Sequence, residues 1–223
     1  MLNFVLAESA LELVPGEIRS RPAVASDSKR RGVDASEILL DRSFHHSAML
    51  RLKDSEKRGR PDLVHVALLS VTGTPLYLEG KVRVFVHTYG DAVVEIAPRT
   101  RIPKSYFRFR GLVEKALLGH GDGLVKARPS RLPDFVKKVI APDLTVGLSV
   151  QGRKIGLDDL AGRLVSARDP CVVVGGFPRG HFILETLSVV DELVRIHEMP
   201  LEAHVVASRL LYEFEKAVGA LNP

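Results

Sequence analysis

Short apolar runs alternate along the chain with stretches whose apolar positions recur at helical spacing, a pattern that predicts an α/β fold. Leu2 to Leu6 reads as a buried strand, followed by a helix near Ser9 to Leu13. Pro15 and Pro22 bound an irregular stretch, and the polar, mixed-charge segment 19–36 (RSRPAVASDSKRRGVDAS) is expected to be a mobile surface loop. A helix is expected to start near Ser43, and Leu63 to Val71 is an apolar run of ambiguous type. Lys81 to Thr88 (KVRVFVHT) and Ala92 to Ala97 (AVVEIA) read as a hairpin turned at Tyr89-Gly90-Asp91. Ser105 to Leu118 is helical, and Pro98 and Pro103 hold the arginines before it in an extended segment. Leu144 to Val150 is a strand, Asp158 to Val165 a short helix, and Cys171 to Val174 a buried strand ending in Gly175-Gly176. Leu193 to His197 gives a last strand, and Pro200 is expected to open a final helix reaching about Leu221.

Composition narrows the class. The 223 residues fit one domain, or one carrying an insertion, and 45% apolar against 26% charged residues is globular rather than disordered. Cys171 is the only cysteine, which excludes an intrachain disulfide and any cysteine-based metal or iron–sulfur site, and fits a reducing compartment. No apolar run reaches the roughly 20 residues a membrane helix needs. The apolar start is broken by Glu8 and Glu12 and has no basic leader, so a soluble cytoplasmic protein is expected.

Charge changes the picture more. Residues 99–138 hold eleven Lys or Arg against three Asp or Glu, while the rest of the chain has 21 basic and 24 acidic residues. Such a patch on a slightly acidic body fits a polyanionic partner; the plainer reading is a solvated face. Within it, Arg99, Arg101, Lys104, Arg108 and Arg110 fall in twelve residues without an acid, interleaved with Tyr106, Phe107 and Phe109. That is the composition expected where phosphates are gripped and bases stack, although the aromatics also suit the core of the following helix.

Other chemistry finds little support. There is no GxSxG elbow, no HxxxH or HExxH spacing, no Walker loop and no GxGxxG after the first strand. Cys171 among valines reads as inert filler, and His65 in an apolar run as a hydrogen-bonded core residue. Gly175-Gly176 after a buried strand can admit a ligand close to the backbone, or can simply turn the chain. The junction Ile196-His197-Glu198-Met199-Pro200-Leu201 can likewise frame a pocket with them or only start a helix. In Arg58-Gly59-Arg60-Pro61-Asp62, a carboxylate two residues on can hold Arg60 rigid with part of its fork free, or the segment is plain loop.

Four motifs together, RGRPDLVH at 58–65, RIPKSYFRFRGL at 101–112, VVVGGFPRG at 172–180 and IHEMPLEA at 196–203, resemble the Nep/Emg family in order and spacing. These are ribosome-biogenesis methyltransferases of the knotted SPOUT class, acting on N1 of a pseudouridine in small-subunit ribosomal RNA. The opening LNFVLAESALELVP is similar to the archaeal members, so the resemblance spans nearly the whole chain. It implies an α/β SPOUT fold with a trefoil knot, and a basic RNA-binding insertion at about 77–140 within a single domain 1–223. S-adenosyl-L-methionine is implied as cofactor, and small-subunit ribosomal RNA, a second copy of the chain and other assembly proteins as partners. The cofactor would fall on Leu148, Gly175, Gly176, Gly180, His181 and Ile196, His197, Glu198, Met199, Pro200 and Leu201. RNA would fall on Arg60, Arg101, Lys104 and Arg108. Asp62 would steady Arg60 or serve as general base. Lys104 stands where other members have arginine, keeping the charge and losing the bidentate fork. Two alternatives remain open at this level: a non-catalytic assembly factor, and a ribose 2′-O-methyltransferase of the same fold.

Overall fold

The computed structural model describes residues 1–219. In chain order the elements are β1 (Leu2–Ser9), α1 (Pro22–Arg31), α2 (Arg42–Met49), α3 (Pro61–Thr72), α4 (Pro75–Leu78), β2 (Val82–Thr88), β3 (Ala92–Ile96), α5 (Tyr106–Leu117) and β4 (Val125–Pro129). They continue with α6 (Leu132–Phe135), β5 (Leu144–Lys154), α7 (Leu157–Ser166), β6 (Pro170–Gly175), α8 (Leu184–Leu187), β7 (Glu192–Arg195) and α9 (Ala203–Ala217). The seven strands form one sheet in the order β4-β3-β2-β1-β6-β5-β7. The five from β2 to β7 run parallel, and β3 and β4 are added antiparallel at one edge.

Every residue of β1 is buried, as a central strand covered on both faces must be. Alternate side chains part to opposite sides. Phe4 and Leu6 join the core under α3, α5, α7 and α9, while Val5 and Ala7 meet Phe85, Phe135 and Val173 on the other face. A smaller core under α1 and α2 gathers Val14, Ile18, Val24, Ile38 and Met49. Cys171 is fully buried on β6, where burial pushes its thiol up to about 12, so it stays an inert filler at neutral pH. Among the described residues, no helix is long and apolar enough to cross a membrane.

Several expected elements differ. The Ser9–Leu13 helix is absent: the chain runs on extended, with Leu13 bridged to Leu39 and the Glu12 carbonyl accepting from Leu40 N–H at 2.8 Å. The segment 19–36, expected as a loop, contains α1, which Pro22 opens in its first turn and Gly32 closes in the left-handed region (φ 65°). The final helix starts at Ala203, with Glu202 as its cap, rather than at Pro200, and its expected end at Leu221 lies outside the described residues. The basic segment 77–140, expected as an insertion within one domain, is woven into the sheet. Its first strand, β2, pairs parallel with β1, and β3 and β4 extend the same sheet.

Candidate functional site

A cavity of about 340 Å³ opens where β6 and β7 end, beside the middle of β5 at Leu148–Val150. Ligands of open α/β sheets bind outside the carboxyl ends of their strands, and the volume suits a cofactor-sized molecule. Leu148 comes from β5, Val174 and Gly175 from β6, and Arg195 and Ile196 from the end of β7. The loop after β6 adds Phe177, Gly180 and His181, and the segment before α9 adds His197, Met199, Pro200 and Leu201. Topology thus gathers nine of the eleven residues expected around a cofactor.

Gly176 and Glu198 stand apart from the cavity. A Cβ on Gly176 would fall 2.1 Å from Ser9 Oγ, so that glycine is needed for packing against the end of β1. Glu198 is exposed and pairs with Lys154 at 3.2 Å and Arg195 at 3.5 Å. Gly175 faces the opposite way: its Cβ would sit 3.0 Å from two carbons of the Phe177 ring that walls the cavity. His197 Nδ1 accepts from Met199 N–H at 3.0 Å, closing the sharp turn of the IHEMP segment. Lining residues not among those expected include Phe177, which lies inside the VVVGGFPRG motif, and Arg195, whose only signal is the motif that begins at Ile196.

The five residues of RGRPD divide their work. Arg58 is buried, bidentate on Glu12 at 2.7 Å through both Nε and Nη2, with its guanidinium 4.6 Å from the Tyr89 ring. Gly59 has φ 65°, where a side chain is strained, and a Cβ there would press on Met49 Cε at 2.5 Å, so glycine is strongly favoured. Pro61 opens α3. Arg60 caps that helix and reaches back to Asp62, donating from Nε at 2.9 Å and from Nη2 at 2.8 Å. Its Nη1 has no hydrogen-bond partner among the described residues. Burial pushes the Asp62 carboxyl up, but the Arg60 hydrogen bonds and charge outweigh it and hold the group below the usual carboxylate range.

Backbone ties join this motif to Gly176, whose chain neighbours Gly175 and Phe177 line the cavity. Arg60 N–H donates to the Ala10 carbonyl at 3.1 Å, and Ala10 N–H donates to the Gly176 carbonyl at 2.9 Å. Glu202, next to Leu201 of the cavity wall, adds its negative field at Arg60. The basic segment is held to the same place by His65. Its Nε2 donates to the Pro103 carbonyl at 2.7 Å while its ring stacks on Phe109 at 4.4 Å.

Around that anchor the cations separate by role. Arg101, Lys104 and Arg108 are exposed, whereas Arg110 is buried between the Phe44 and Phe107 rings, 4.0 Å from Glu114. The aromatics separate too. Phe109 is core, the Tyr106 hydroxyl donates to Asp41, and Phe107 is 64% exposed, with Arg110 5.3 Å from its ring centre. Among the described residues, no group of three His, Cys, Asp or Glu is placed to hold a metal ion.

Comparison with known proteins agrees in length and shape. The family model described as EMG1/NEP1 methyltransferase matches residues 4–215. The chain is 38% identical over 219 residues to the ribosomal RNA small subunit methyltransferase Nep1 of Thermococcus onnurineus, covering 96% of this chain and 98% of that one. It is 41% identical over 226 residues to the Nep1 of Pyrobaculum arsenaticum, covering 97% and 99%. Among solved structures, Archaeoglobus fulgidus Nep1 bound to S-adenosylhomocysteine superposes with a TM-score of 0.85 at 34% identity, covering 97% of this chain and 98% of that one.

Proposed function

The chain belongs to the EMG1/NEP1 methyltransferase family, and from that premise we propose that it methylates small-subunit ribosomal RNA with S-adenosyl-L-methionine as donor, at N1 of a pseudouridine. One observation carries the reading. Two backbone hydrogen bonds through Ala10 tie Arg60 to Gly176, which lies between Gly175 and Phe177 of the cavity wall, so the cavity and the half-exposed Arg60 share one support. The fold is of the SPOUT class, and a C-terminal trefoil knot goes with the proposal.

The residues present fit the donor. Gly175 and the left-handed Gly180 (φ 100°) let backbone approach closely, and Leu148, Ile196, Met199 and Leu201 give an apolar wall. When bound, S-adenosylmethionine supplies an electrophilic sulfonium methyl. The chain's own work is then to hold the acceptor nitrogen in line, so that the N1–carbon bond forms as the sulfur–carbon bond breaks and the N1 proton leaves to solvent. Arg60 does the holding on the RNA side. Asp62, kept ionised and with both oxygens engaged by Arg60, is a weak base, and its role is to orient that arginine. Arg101, Lys104 and Arg108 position the phosphates.

The enzyme works in the cytoplasm, as its single buried thiol suits, and as a homodimer. Met199 at the cavity rim and Tyr212 on α9 are 66% and 53% exposed, apolar surface that a second copy covers. Sedimentation is expected to give a species of twice the 24.5 kDa chain mass, and a lone 24.5 kDa species at micromolar concentration contradicts the dimer.

Mass mapping of small-subunit RNA from cells with and without the protein tests the activity. The expected result is loss of one methyl from the base of a pseudouridine. A methyl lost from a ribose would identify a 2′-O enzyme, and an unchanged map would leave only an assembly factor.

A further inference from the structure

We infer that Lys57 and Glu8 are positioning residues for the methyl donor: as an ion pair they pin the 177–183 loop, which walls the donor cavity, to the segment that carries Arg60. The inference rests on the cavity being the donor site. Neither residue lines the cavity, and neither belongs to the four motifs that point to the family.

The Lys57 ammonium is held on three sides. Nζ donates to Glu8 Oε2 at 2.7 Å and to the His181 carbonyl, and it lies 4.4 Å from the centre of the Phe177 ring. The other Glu8 oxygen accepts from Ile183 N–H at 2.9 Å. Two side chains, one from the end of β1 and one from just before RGRPD, therefore touch the loop at residues 177, 181 and 183. Their side chains are only 16% and 5% exposed. Taking such charges from water is costly, and the cost is offset only by close, complete hydrogen bonding of the kind seen here.

Glu8 also sits in the left-handed region, at φ 50°, where the β1–β2 register slips between Leu6 and Ser9. Strain of that sort in a non-glycine residue persists where the surroundings over-determine it, and it clusters at functional sites. Here the surroundings are named. Glu8 N–H donates to His87 Nδ1 at 3.3 Å, Ala10 bridges Arg60 and Gly176, and Glu12 clamps Arg58. Residues 8–12 thus grip the 57–60 segment on one side and the 176–183 loop on the other.

The test is donor binding measured apart from RNA binding. Lys57→Met keeps the side-chain stem against Phe177 and removes the charge. Loss of its two hydrogen bonds to Glu8 and His181, which releases the loop, should weaken S-adenosylmethionine binding by about tenfold, with KM for the donor rising alike and kcat at saturating donor falling far less. Affinity for an RNA hairpin should move by less than about twofold, since the phosphate contacts are untouched. Lys57→Arg should recover most of the donor affinity, and Glu8→Gln should mimic Lys57→Met. Arg60→Ala should show the reverse pattern, with slow transfer and normal donor affinity.

Calorimetry showing unchanged donor affinity in folded Lys57→Met overturns the inference. So does an equal loss of donor and RNA binding that Lys57→Arg fails to rescue, because that marks general destabilisation. If Lys57→Met does not fold, the near-isosteric Glu8→Gln and Lys57→Arg carry the same comparison. A wild-type protein that gives no heat with S-adenosylmethionine would overturn the donor assignment itself.

Discussion

A side chain at Gly175 would crowd the Phe177 ring in the cavity wall, and that makes it the sharpest single-residue probe of the cavity. A Cβ there meets the Phe177 ring at 3.0 Å, so Gly175→Val must displace the wall or fill the cavity mouth. Titration calorimetry should find S-adenosylmethionine binding abolished and RNA affinity retained; unchanged donor affinity removes Gly175 from the site. His45 and His87 make a different prediction. Both accept a backbone N–H on Nδ1, from Asp41 and Glu8, and both turn Nε2 toward a carboxylate, Asp27 at 3.4 Å and Asp91 at 3.1 Å. Burial holds each below the ordinary histidine value despite those carboxylates. The unfolded chain then binds more protons than the folded one below about pH 6.5, so stability falls as pH drops through that value. Each histidine contributes at most about 1.4 kcal/mol per pH unit. Thermal melts between pH 7.5 and 5.5 should show the decline, and His87→Gln should flatten it; melting points that rise on acidification contradict the assignment. At this scale some chemistry is legible and some is not. The Arg60–Asp62 fork spans two residues and can be read from spacing. That Arg58 is structural cannot, because its partner Glu12 lies 46 residues away.

Helix α5 and the extended segment before it form the element that decides between an RNA face and a solvated one. If Arg101, Lys104 and Arg108 grip phosphates, each change to Ala should weaken RNA binding and lower the salt slope by about 1. Phe107→Ala should weaken binding to single-stranded loops with the slope unchanged, since stacking releases no counterions. Wild-type affinity and slope in the three cation variants would return the segment to a solvated face. The hairpin and α5 could be anticipated because their apolar positions follow strand and helix periods closely. Helix α1 could not be told from a loop by pattern, since it buries only Val24 and Asp27 and its remaining face is polar. Its signals, Pro22 in the first turn and Gly32 at the end, are the same residues that punctuate loops. Strand β4 (VKARP) escapes for a similar reason: it is a mostly exposed edge strand ending in proline. The extended course of Ser9–Leu13 follows from partners at Leu39 and Leu40, which no local pattern reveals.

Across the whole molecule, the account depends on topology bringing together residues from five distant stretches, near 8–12, 57–62, 101–110, 148 and 174–201. Spacing along the chain cannot show that convergence, because it is set by the strand order β1-β6-β5-β7 and by the motifs' meeting at the strand ends. The sheet order is what brings VVVGGFPRG and IHEMPLEA, far apart along the chain, to one cavity. The central claim is that the strand-end cavity delivers a methyl group to a pseudouridine held by Arg60. Single-turnover transfer from labelled S-adenosylmethionine to paired RNA hairpins, identical except for pseudouridine or uridine at the target, tests it most directly. The account predicts label on the pseudouridine base alone, and transfer slowed in Arg60→Ala by more than its loss of RNA affinity. Equal labelling of the two hairpins, or none of either by a protein that binds both donor and RNA, would contradict it.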